Sequence, residues 1–361
     1  MGQIKMAYRA NFVLVGTGAM AAEMMSALVP AGVQVSGVTS RDLDRGRRFA
    51  HRFSIPSYAT DLSTQLGSRD VDAVYIANAP EDHAKSAIIA LEAGKAVLCE
   101  KPIATSASEA QRVIDAAKQT NTLCMEGLWT HFLPSFERFV EFSRSEMYGE
   151  PHHLLADFGY PVMEDNRSHL FSLNGGGVLL DRAVYLIALA LEVFGPVMRT
   201  KSHIRFNERG IDLDASLLLS HHAGQVSQVS VSFSSLMSNT AVLACSKGLM
   251  RLEKPLLGSE EISIQRAPAG GRSLRDVVSP LTFSETLKRN LRSFPKLRRI
   301  GQALPRGSRE YLSYGSNRYL PEVNHFLGLL EAGIKESPVV PLERSLSVQR
   351  IIEEARANHC R

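Results

Sequence analysis

The first 125 residues alternate short apolar runs with amphipathic stretches, and this alternation is what most constrains how the chain can fold. The apolar runs predict strands at residues 11–15, 33–39, 73–77, 96–99 and 123–126. Helical periodicity between them predicts helices at residues 20–28, 43–53, 84–93 and 106–120. Strands separated by helices of this length form a parallel sheet with right-handed crossovers. The sequence therefore predicts a doubly wound α/β domain.

The pattern changes after about residue 130, where strand-like segments follow one another. The predicted strands are at 153–158, 199–206, 215–220, 226–233 and 240–245, and the predicted helices are at 178–194, 321–336 and 342–358. Consecutive strands favour an antiparallel pairing, so we expect an α+β domain with a large, mostly antiparallel, open-faced sheet.

Two domains also suit a chain of 361 residues. We expect them at residues 1–130 and 131–341, with the helix at about 342–358 packing back on the first. A basic insertion is expected at about 268–312, because the stretch from Arg266 to Arg309 holds eleven Lys or Arg against two acidic residues.

Composition excludes several other classes of protein. A hydrophobic content of 44% and a charged content of 22% are globular values. No run reaches the roughly 18 apolar residues of a membrane span, and the N-terminus does not resemble a signal peptide. The four cysteines form no CxxC pair, which is typical of reduced thiols in a cytoplasmic protein. We expect no catalytic metal and no nucleic-acid partner, because neither motif is present.

A glycine-rich loop, Gly16-Thr17-Gly18-Ala19-Met20-Ala21, follows the first predicted strand and opens the first predicted helix. Gly16 permits the tight turn, Gly18 lets the backbone approach a pyrophosphate, and Ala21 keeps helix and strand close. The free N–H groups at the helix start, near Ala19 and Met20, would face the phosphates. In this context the loop indicates a dinucleotide-binding Rossmann domain.

The end of the second predicted strand indicates which dinucleotide is bound. An NAD enzyme places an acidic residue there to hold the ribose hydroxyls. Between Glu23 and Asp42 the chain has no Asp or Glu, but it has Ser40 and Arg41, with Arg45 one turn further on. These residues suit a 2′-phosphate, so NADP(H) is the preferred cofactor. NAD(H) is the alternative, because Arg41 stacked on the adenine ring would serve either.

Two further segments carry candidate catalytic groups. Lys101 lies in Glu100-Lys101-Pro102, beyond the carboxyl end of a predicted parallel strand, where ligands of such sheets bind. Asp181 and Tyr185 follow three glycines and share one face of a predicted helix. Hydride transfer at an alcohol carbon needs a group that exchanges the hydroxyl proton. Tyr185 can do this if a cation such as Lys101 lowers its pKa from about 10 towards neutrality. The alternative is an acidic residue at a helix start followed by a tyrosine of the core.

The glycine-rich loop, the Glu-Lys-Pro tripeptide and the glycine run before Asp181 and Tyr185 resemble the Gfo/Idh/MocA family of oxidoreductases over nearly the whole chain. Within the family, the chain is most similar to the dimeric dihydrodiol dehydrogenases, which also act as NADP-dependent D-xylose dehydrogenases. The segments that carry this closer similarity are GKAVLCEKP from Gly94, MEGLWTHF from Met125, SNTAVLACSKG from Ser238 and KESPVVPL from Lys335.

The resemblance implies roles for individual residues. Lys101 and Tyr185 are the expected catalytic pair, supported by Asp181, and Trp129 lines the substrate site. Phe158 and Arg182 are also expected at that site. Further cofactor contacts are expected from Asn78, Pro80, His83 and Glu100, and from Lys101 itself.

Arg182 and Ala183 depart from the family pattern, in which an apolar residue and a glycine follow the aspartate. Arg182 either selects an anionic substrate or points away and pairs with a carboxylate. Ala183 adds a methyl group near the expected nicotinamide position.

The basic insertion is the second departure. Leu287, Leu291 and Phe294 recur at helical spacing among basic residues. The segment is either a basic amphipathic helix for an acidic partner or surface, or a solvated insertion over an apolar patch.

The residues and the resemblance together predict a cytoplasmic NADP(H)-dependent oxidoreductase acting on a sugar, polyol or cyclic diol. The alternatives are a reductase of a keto-sugar or dicarbonyl compound in a biosynthetic route, and a catalytically inactive cofactor-binding sensor. We also expect a homodimer or higher oligomer, because Val229, Val231 and Phe233 alternate as if to form an apolar patch on the open sheet face.

Overall fold

A computed structural model describes residues 9–67, 70–165, 168–267 and 307–359. Most of the predicted basic insertion, including Leu287, Leu291 and Phe294, lies outside the described residues. Within them, no helix is long and apolar enough to cross a membrane.

The first sheet has six parallel strands in the order β3-β2-β1-β4-β5-β6. These strands are β1 (Asn11–Val15), β2 (Gln34–Thr39), β3 (Ser57–Ala59), β4 (Ala73–Ile76), β5 (Ala96–Glu100) and β6 (Cys124–Gly127). The helices between them are α1 (Ala19–Leu28), α2 (Leu43–Phe53), α3 (Leu62–Leu66), α4 (Pro80–Glu92) and α5 (Ala107–Thr120). The chain reverses direction across the sheet between β1 and β4, so the loops after these two strands face one crevice.

The second sheet has eight strands in the order β14-β13-β12-β11-β7-β10-β9-β8, and only β7 and β10 pair in parallel. Its strands are β7 (Pro151–Gly159), β8 (Val197–Phe206), β9 (Asp212–His221), β10 (Val226–Ser232), β11 (Ala241–Cys245), β12 (Gly248–Leu252), β13 (Glu261–Arg266) and β14 (Ser308–Tyr311). Its helices are α6 (Pro134–Ser143), α7 (Val184–Phe194), α8 (Leu320–Ala332) and α9 (Leu342–Ala357). The predicted fold class is confirmed, and the domain boundary at residue 130 stays a prediction.

The helix α9 contacts both halves of the molecule. The Glu353 carboxylate accepts a hydrogen bond from the backbone N–H of Ala107, the first residue of α5, at 2.8 Å. The next carboxylate, that of Glu354, accepts one from the Thr200 hydroxyl on β8 at 2.9 Å. Consecutive residues of one helix thus join the layer of α5 to the second sheet.

The apolar alternation in β10 belongs to the covered face of the second sheet. Val229, Val231 and Phe233 are at most 2% exposed and lie in the main hydrophobic core. The exposed side chains on the other face include Leu155, Ser216, Leu218 and Gln228. The expected apolar oligomer patch at Val229, Val231 and Phe233 is therefore wrong. The strand period of two places these residues on the sheet face that the helices cover.

Candidate active site

The glycine-rich loop has the conformation that its sequence requires. Gly16 has φ of 107°, and a Cβ there would overlap the carbonyl oxygen of Ala77. Its N–H donates to the carbonyl oxygen of Thr39 at 2.9 Å, which fixes the turn beside β2. Gly18 caps α1 without a side-chain hydrogen bond, and the space where its Cβ would point is open. Free N–H groups beside open space form a site that fits a pyrophosphate.

The end of β2 presents a cation to the same crevice. Arg41 is 84% exposed at its side chain, and its guanidinium lies 3.8 Å from the Asp82 carboxylate, a weak surface pair. Asp42 does not compete for ribose hydroxyls, because its carboxylate caps α2 by accepting from the N–H of Arg45 at 3.0 Å. That hydrogen bond also lowers the pKa of Asp42. The Thr17 and Ser40 hydroxyl oxygens lie 3.3 Å apart between the two loops.

The loop after β4 is tied to the loop after β5 by a buried histidine. His83 Nδ1 lies 2.7 Å from the carbonyl oxygen of Pro102, and Nε2 lies 3.3 Å from that of Asn78. Burial lowers the pKa of His83, so the ring is neutral at neutral pH. The Asn78 amide donates to Ser86 at 2.9 Å, while its buried Oδ1 has no partner among the described residues. Pro80 occupies the first turn of α4.

Lys101 is held by an ion pair across the crevice. Its ammonium donates to Asp181 Oδ1 and to the backbone carbonyl oxygen of Asp181, both at 2.7 Å. Burial opposes ionisation of Asp181, but the Lys101 ammonium outweighs it and lowers the pKa of the carboxyl. Beside this pair, the buried Glu100 carboxyl accepts from the Tyr75 hydroxyl at 2.6 Å. Burial raises the pKa of Glu100.

Asp181 lies in a π-helical turn, Leu179–Ala183, which leads directly into α7. Such turns are rare in proteins as a whole, and those that occur are often at functional sites. The turn is anchored by Asp212, which is 1% exposed and accepts from the N–H of Leu179 at 3.3 Å. Arg356 of α9 holds the same carboxylate through Nε at 3.0 Å and a terminal nitrogen at 2.8 Å. Gly177, with φ of 100°, is required because a Cβ there would overlap the Asp212 carboxylate.

Tyr185 lies next to the Lys101–Asp181 pair. The Lys101 ammonium is 5.1 Å from the centroid of the Tyr185 ring, and the phenol oxygen accepts from the Trp129 indole N–H at 3.2 Å. The expected depression of the tyrosine pKa is wrong for this state of the protein. Burial, followed by the charges of Glu100 and Asp181, raises the pKa of Tyr185 well above 10. The phenol is therefore protonated at neutral pH.

Arg182 does not line the crevice. It is 1% exposed, and its guanidinium lies 3.9 Å from the centroid of the Tyr160 ring, 4.6 Å from that of Phe233 and 5.3 Å from that of Phe158. It donates to the carbonyl oxygens of Tyr160 (3.0 Å) and Ser232, and its Nε lies 3.7 Å from Asp181 Oδ2. The expected substrate contact is therefore wrong for this conformation, and the alternative of pairing with a carboxylate describes the geometry.

Ala183 does not line the crevice either. The residue is fully buried in the main hydrophobic core. It is not among the residues that line the cleft.

A single cleft of about 1140 Å³ contains every other predicted site residue. Its lining includes Gly16, Gly18, Ala19, Met20, Ser40, Arg41, Arg45, Asn78, Pro80, His83, Glu100, Lys101, Trp129, Phe158, Asp181 and Tyr185. Sequence reasoning missed Tyr160, His169, Asn239, Arg318 and Tyr319, which also line the cleft, with Arg318 and Tyr319 beside Trp129. Asn239 lies in the segment SNTAVLACSKG that carries the resemblance, whereas no motif marks the other four residues, and only the placement of Arg318 and Tyr319 before a predicted helix could have drawn attention to them.

The described residues hold no group of three metal-ligating side chains. Their cysteines are free, and burial raises the pKa of the Cys124 thiol to about 12.

The parallel sheet, the glycine turn and the cleft beside it define a dinucleotide-binding oxidoreductase, and the comparisons with known proteins give its family. Residues 10–128 match the model of an oxidoreductase family with an NAD-binding Rossmann fold, and residues 136–251 match the GFO/IDH/MocA C-terminal domain. The chain belongs to the Gfo/Idh/MocA family of oxidoreductases.

Two curated relatives carry one name. The chain is 30% identical over 335 residues to trans-1,2-dihydrobenzene-1,2-diol dehydrogenase of Mus musculus, covering 92% of this chain and 91% of that protein. It is 27% identical over 325 residues to the Homo sapiens protein of the same name, covering 90% and 88%. The predicted resemblance is confirmed.

Two solved structures share the fold. A 3-ketoreductase from Actinomadura kijaniata, in complex with NADP and TDP-benzene, matches with a TM-score of 0.79 and 21% identity over 98% of both chains. An aldose-aldose oxidoreductase from Caulobacter crescentus, complexed with glycerol, matches with a TM-score of 0.77 and 16% identity over 97% of both chains.

Proposed function

We propose that the protein is an NADP(H)-dependent oxidoreductase that transfers hydride between the nicotinamide and a sugar, polyol, cyclic diol or related keto compound. The observation that carries this is the meeting of the Lys101–Asp181 ion pair with the Tyr185 phenol in the nucleotide cleft. Gly16, the open space at Gly18 and the exposed Arg41 fit the cofactor, which supplies the hydride when bound.

The chain's own residues bind the substrate and move its proton. Tyr185 Oη donates a proton to the substrate oxygen in reduction and takes it back in oxidation. The Trp129 indole N–H orients the phenol by donating a hydrogen bond to the Tyr185 phenol oxygen. Lys101, held by Asp181 and 5.1 Å from the centroid of the Tyr185 ring, supplies positive charge near the substrate oxygen, where negative charge develops in reduction.

Reduction of a keto-sugar or dicarbonyl compound in a biosynthetic route is the second candidate. The Tyr185 phenol, which burial keeps protonated at neutral pH, can donate the proton in such a reduction as it can in the first candidate. A panel of ketoses, aldoses, dicarbonyls and aromatic diols, assayed for NADPH oxidation or NADP⁺ reduction, tests both candidates. An inactive sensor protein would bind NADPH and turn over none of them.

Replacement of Arg41 by alanine tests the cofactor choice. Loss of a charge-assisted contact with the 2′-phosphate is expected to weaken NADPH binding by about 1.5–3 kcal/mol. NADH binding should change far less, and Arg47→Ala, which removes an exposed arginine of α2, is the matched control. Calorimetric titration measures both affinities, and equal losses for the two cofactors would contradict the assignment.

We propose that the protein forms a homodimer or higher oligomer. The resemblance supports this, whereas Val229, Val231 and Phe233 do not, because they are buried within one chain. Light scattering at micromolar concentration should give a mass of two or more chains. A mass near 39.6 kDa, that of one chain, would refute it.

A further inference from the structure

Arg318 lies on an aromatic pair at the end of the cleft around Trp129. Its guanidinium is 5.5 Å from the centroid of the Trp129 ring and 5.3 Å from that of Tyr319. The two rings meet edge to face, with centroids 5.1 Å apart. Arginine stacked on aromatic faces is held in place while its N–H donors stay available. The Arg318 side chain is 43% exposed and lines the cleft.

The same indole leads from Arg318 to the reacting group. Trp129 Nε1 donates to the Tyr185 phenol oxygen, while the ring carries the Arg318 guanidinium. A substrate whose oxygen accepts from Tyr185 would therefore extend along Trp129 towards Arg318. The Trp129 indole thus lies between the Tyr185 phenol, the proton donor, and the Arg318 guanidinium.

Arg318 has little compensating negative charge. The one carboxylate paired with it among the described residues, Glu23, lies 4.0 Å away, and both side chains are about half exposed. Such a pair contributes little. The Asp181 carboxylate is engaged by Lys101 at 2.7 Å and faces Arg182 Nε at 3.7 Å. Glu100 accepts the Tyr75 hydroxyl. The cleft's other described acids, Asp42, Asp61 and Asp82, lie near β2 and the start of α4, at the nucleotide end.

We propose that Arg318 is a specificity-determining residue that binds an anionic group, a phosphoryl group or a carboxylate, on the part of the substrate remote from the reacting carbon. The planar guanidinium matches both groups through paired hydrogen bonds. This role rests on the proposed function, because the substrate reaches Arg318 only if its reacting oxygen meets Tyr185. The substrate class is thereby narrowed to sugars or keto compounds that carry an acid group.

Trp129 makes binding directly measurable, because it is the only tryptophan of the chain. The enzyme saturated with NADP⁺ is titrated with glucose 6-phosphate, glucuronate and glucose, and with dihydroxyacetone phosphate and dihydroxyacetone. Tryptophan emission and calorimetry report binding. At least one acid-bearing compound is expected to bind about 10-fold or more tightly than its neutral partner, as a charge-assisted contact predicts. The phosphorylated and carboxylated compounds distinguish the two anions.

Arg318→Met is expected to abolish that preference and to leave the affinity for the neutral compounds and for NADP⁺ within about 2-fold. Arg309→Met is the matched control, because it removes an equal charge. Arg309 is an exposed arginine of β14 that pairs with Glu261 of β13. The preference should be unchanged in this control. Equal binding of acid-bearing and neutral compounds to the wild type would overturn the role of Arg318. So would a preference that survives in Arg318→Met, or a loss of NADP⁺ affinity, which would assign Arg318 to the cofactor.

These results are separable from the proposed function itself. A preference for acid-bearing compounds with no NADPH oxidation or NADP⁺ reduction would refute the oxidoreductase assignment and leave Arg318 as an anion-binding residue. Turnover of carbonyl compounds with no such preference would refute only the role of Arg318.

Discussion

Replacement of Tyr185 by phenylalanine is expected to lower the turnover number by roughly 10²–10⁴, the usual contribution of a positioned acid or base. The change deletes the phenol oxygen and keeps the ring that packs against Trp129. Folding and NADPH binding should therefore survive. Steady-state kinetics on the best substrate of the panel, with a separate NADPH titration, measures both parts.

The matched control is Trp129→Phe, which removes the donor to the phenol and leaves the phenol itself. Its loss should be much smaller than that of Tyr185→Phe. A raised KM with an unchanged kcat in Tyr185→Phe would show that the phenol only binds substrate and that Lys101 is the acid.

Replacement of Lys101 by methionine is expected to be about as damaging as loss of the phenol, because it removes the cation beside the reacting oxygen. It also leaves the Asp181 carboxylate without its 2.7 Å partner. In the oxidative direction the surviving activity should move to higher pH. The base form of Tyr185 exists only above its pKa, which burial already raises. Loss of the neighbouring ammonium is expected to raise that pKa further, because a nearby positive charge favours the phenolate. A pH profile of kcat in both directions measures the shift.

The double variant Lys101→Met with Tyr185→Phe should lose little more than either single variant, because both residues serve one proton transfer. Lys118→Met, on the exposed face of α5, controls for the loss of a lysine. Fully multiplicative losses, or an unshifted profile in Lys101→Met, would contradict a shared role.

The first sheet could be predicted almost to the residue, because each of its signals is local. The strand Asn11–Val15 and the helix Leu43–Phe53 have the predicted bounds, since a buried run and a helical period are visible within a dozen residues. Short elements such as β3 and α3 were missed for the same reason: three and five residues carry no measurable period.

The site could be predicted where motifs exist and not where packing decides. Lys101 and Asp181 meet although 80 residues separate them, and the resemblance implied only that both belong to the same site. The burial of Arg182 could not be foreseen, because the aromatic rings around it come from distant parts of the chain. They belong to Phe158 of β7, to Tyr160 just after β7 and to Phe233 just after β10. The raised pKa of Tyr185 follows from burial, which depends on the whole fold. Arg318 and Arg356 belong to no sequence motif, and their roles can be inferred only from their contacts in the folded protein.

The contact between Arg356 and Asp212 has a consequence for how the enzyme is made. Translation releases the chain from its N-terminus, so α9 leaves the ribosome after every strand of both sheets. Until it does, the Asp212 carboxylate, which accepts from the Leu179 N–H in the turn that carries Asp181, lacks its Arg356 partner. Leu342 and Leu346 of α9 also pack in the apolar core beside the first sheet, so docking of this helix completes both the nucleotide-binding layer and the support of the catalytic turn. A chain that stops before residue 342 should therefore be inactive, although it contains every described strand of both sheets.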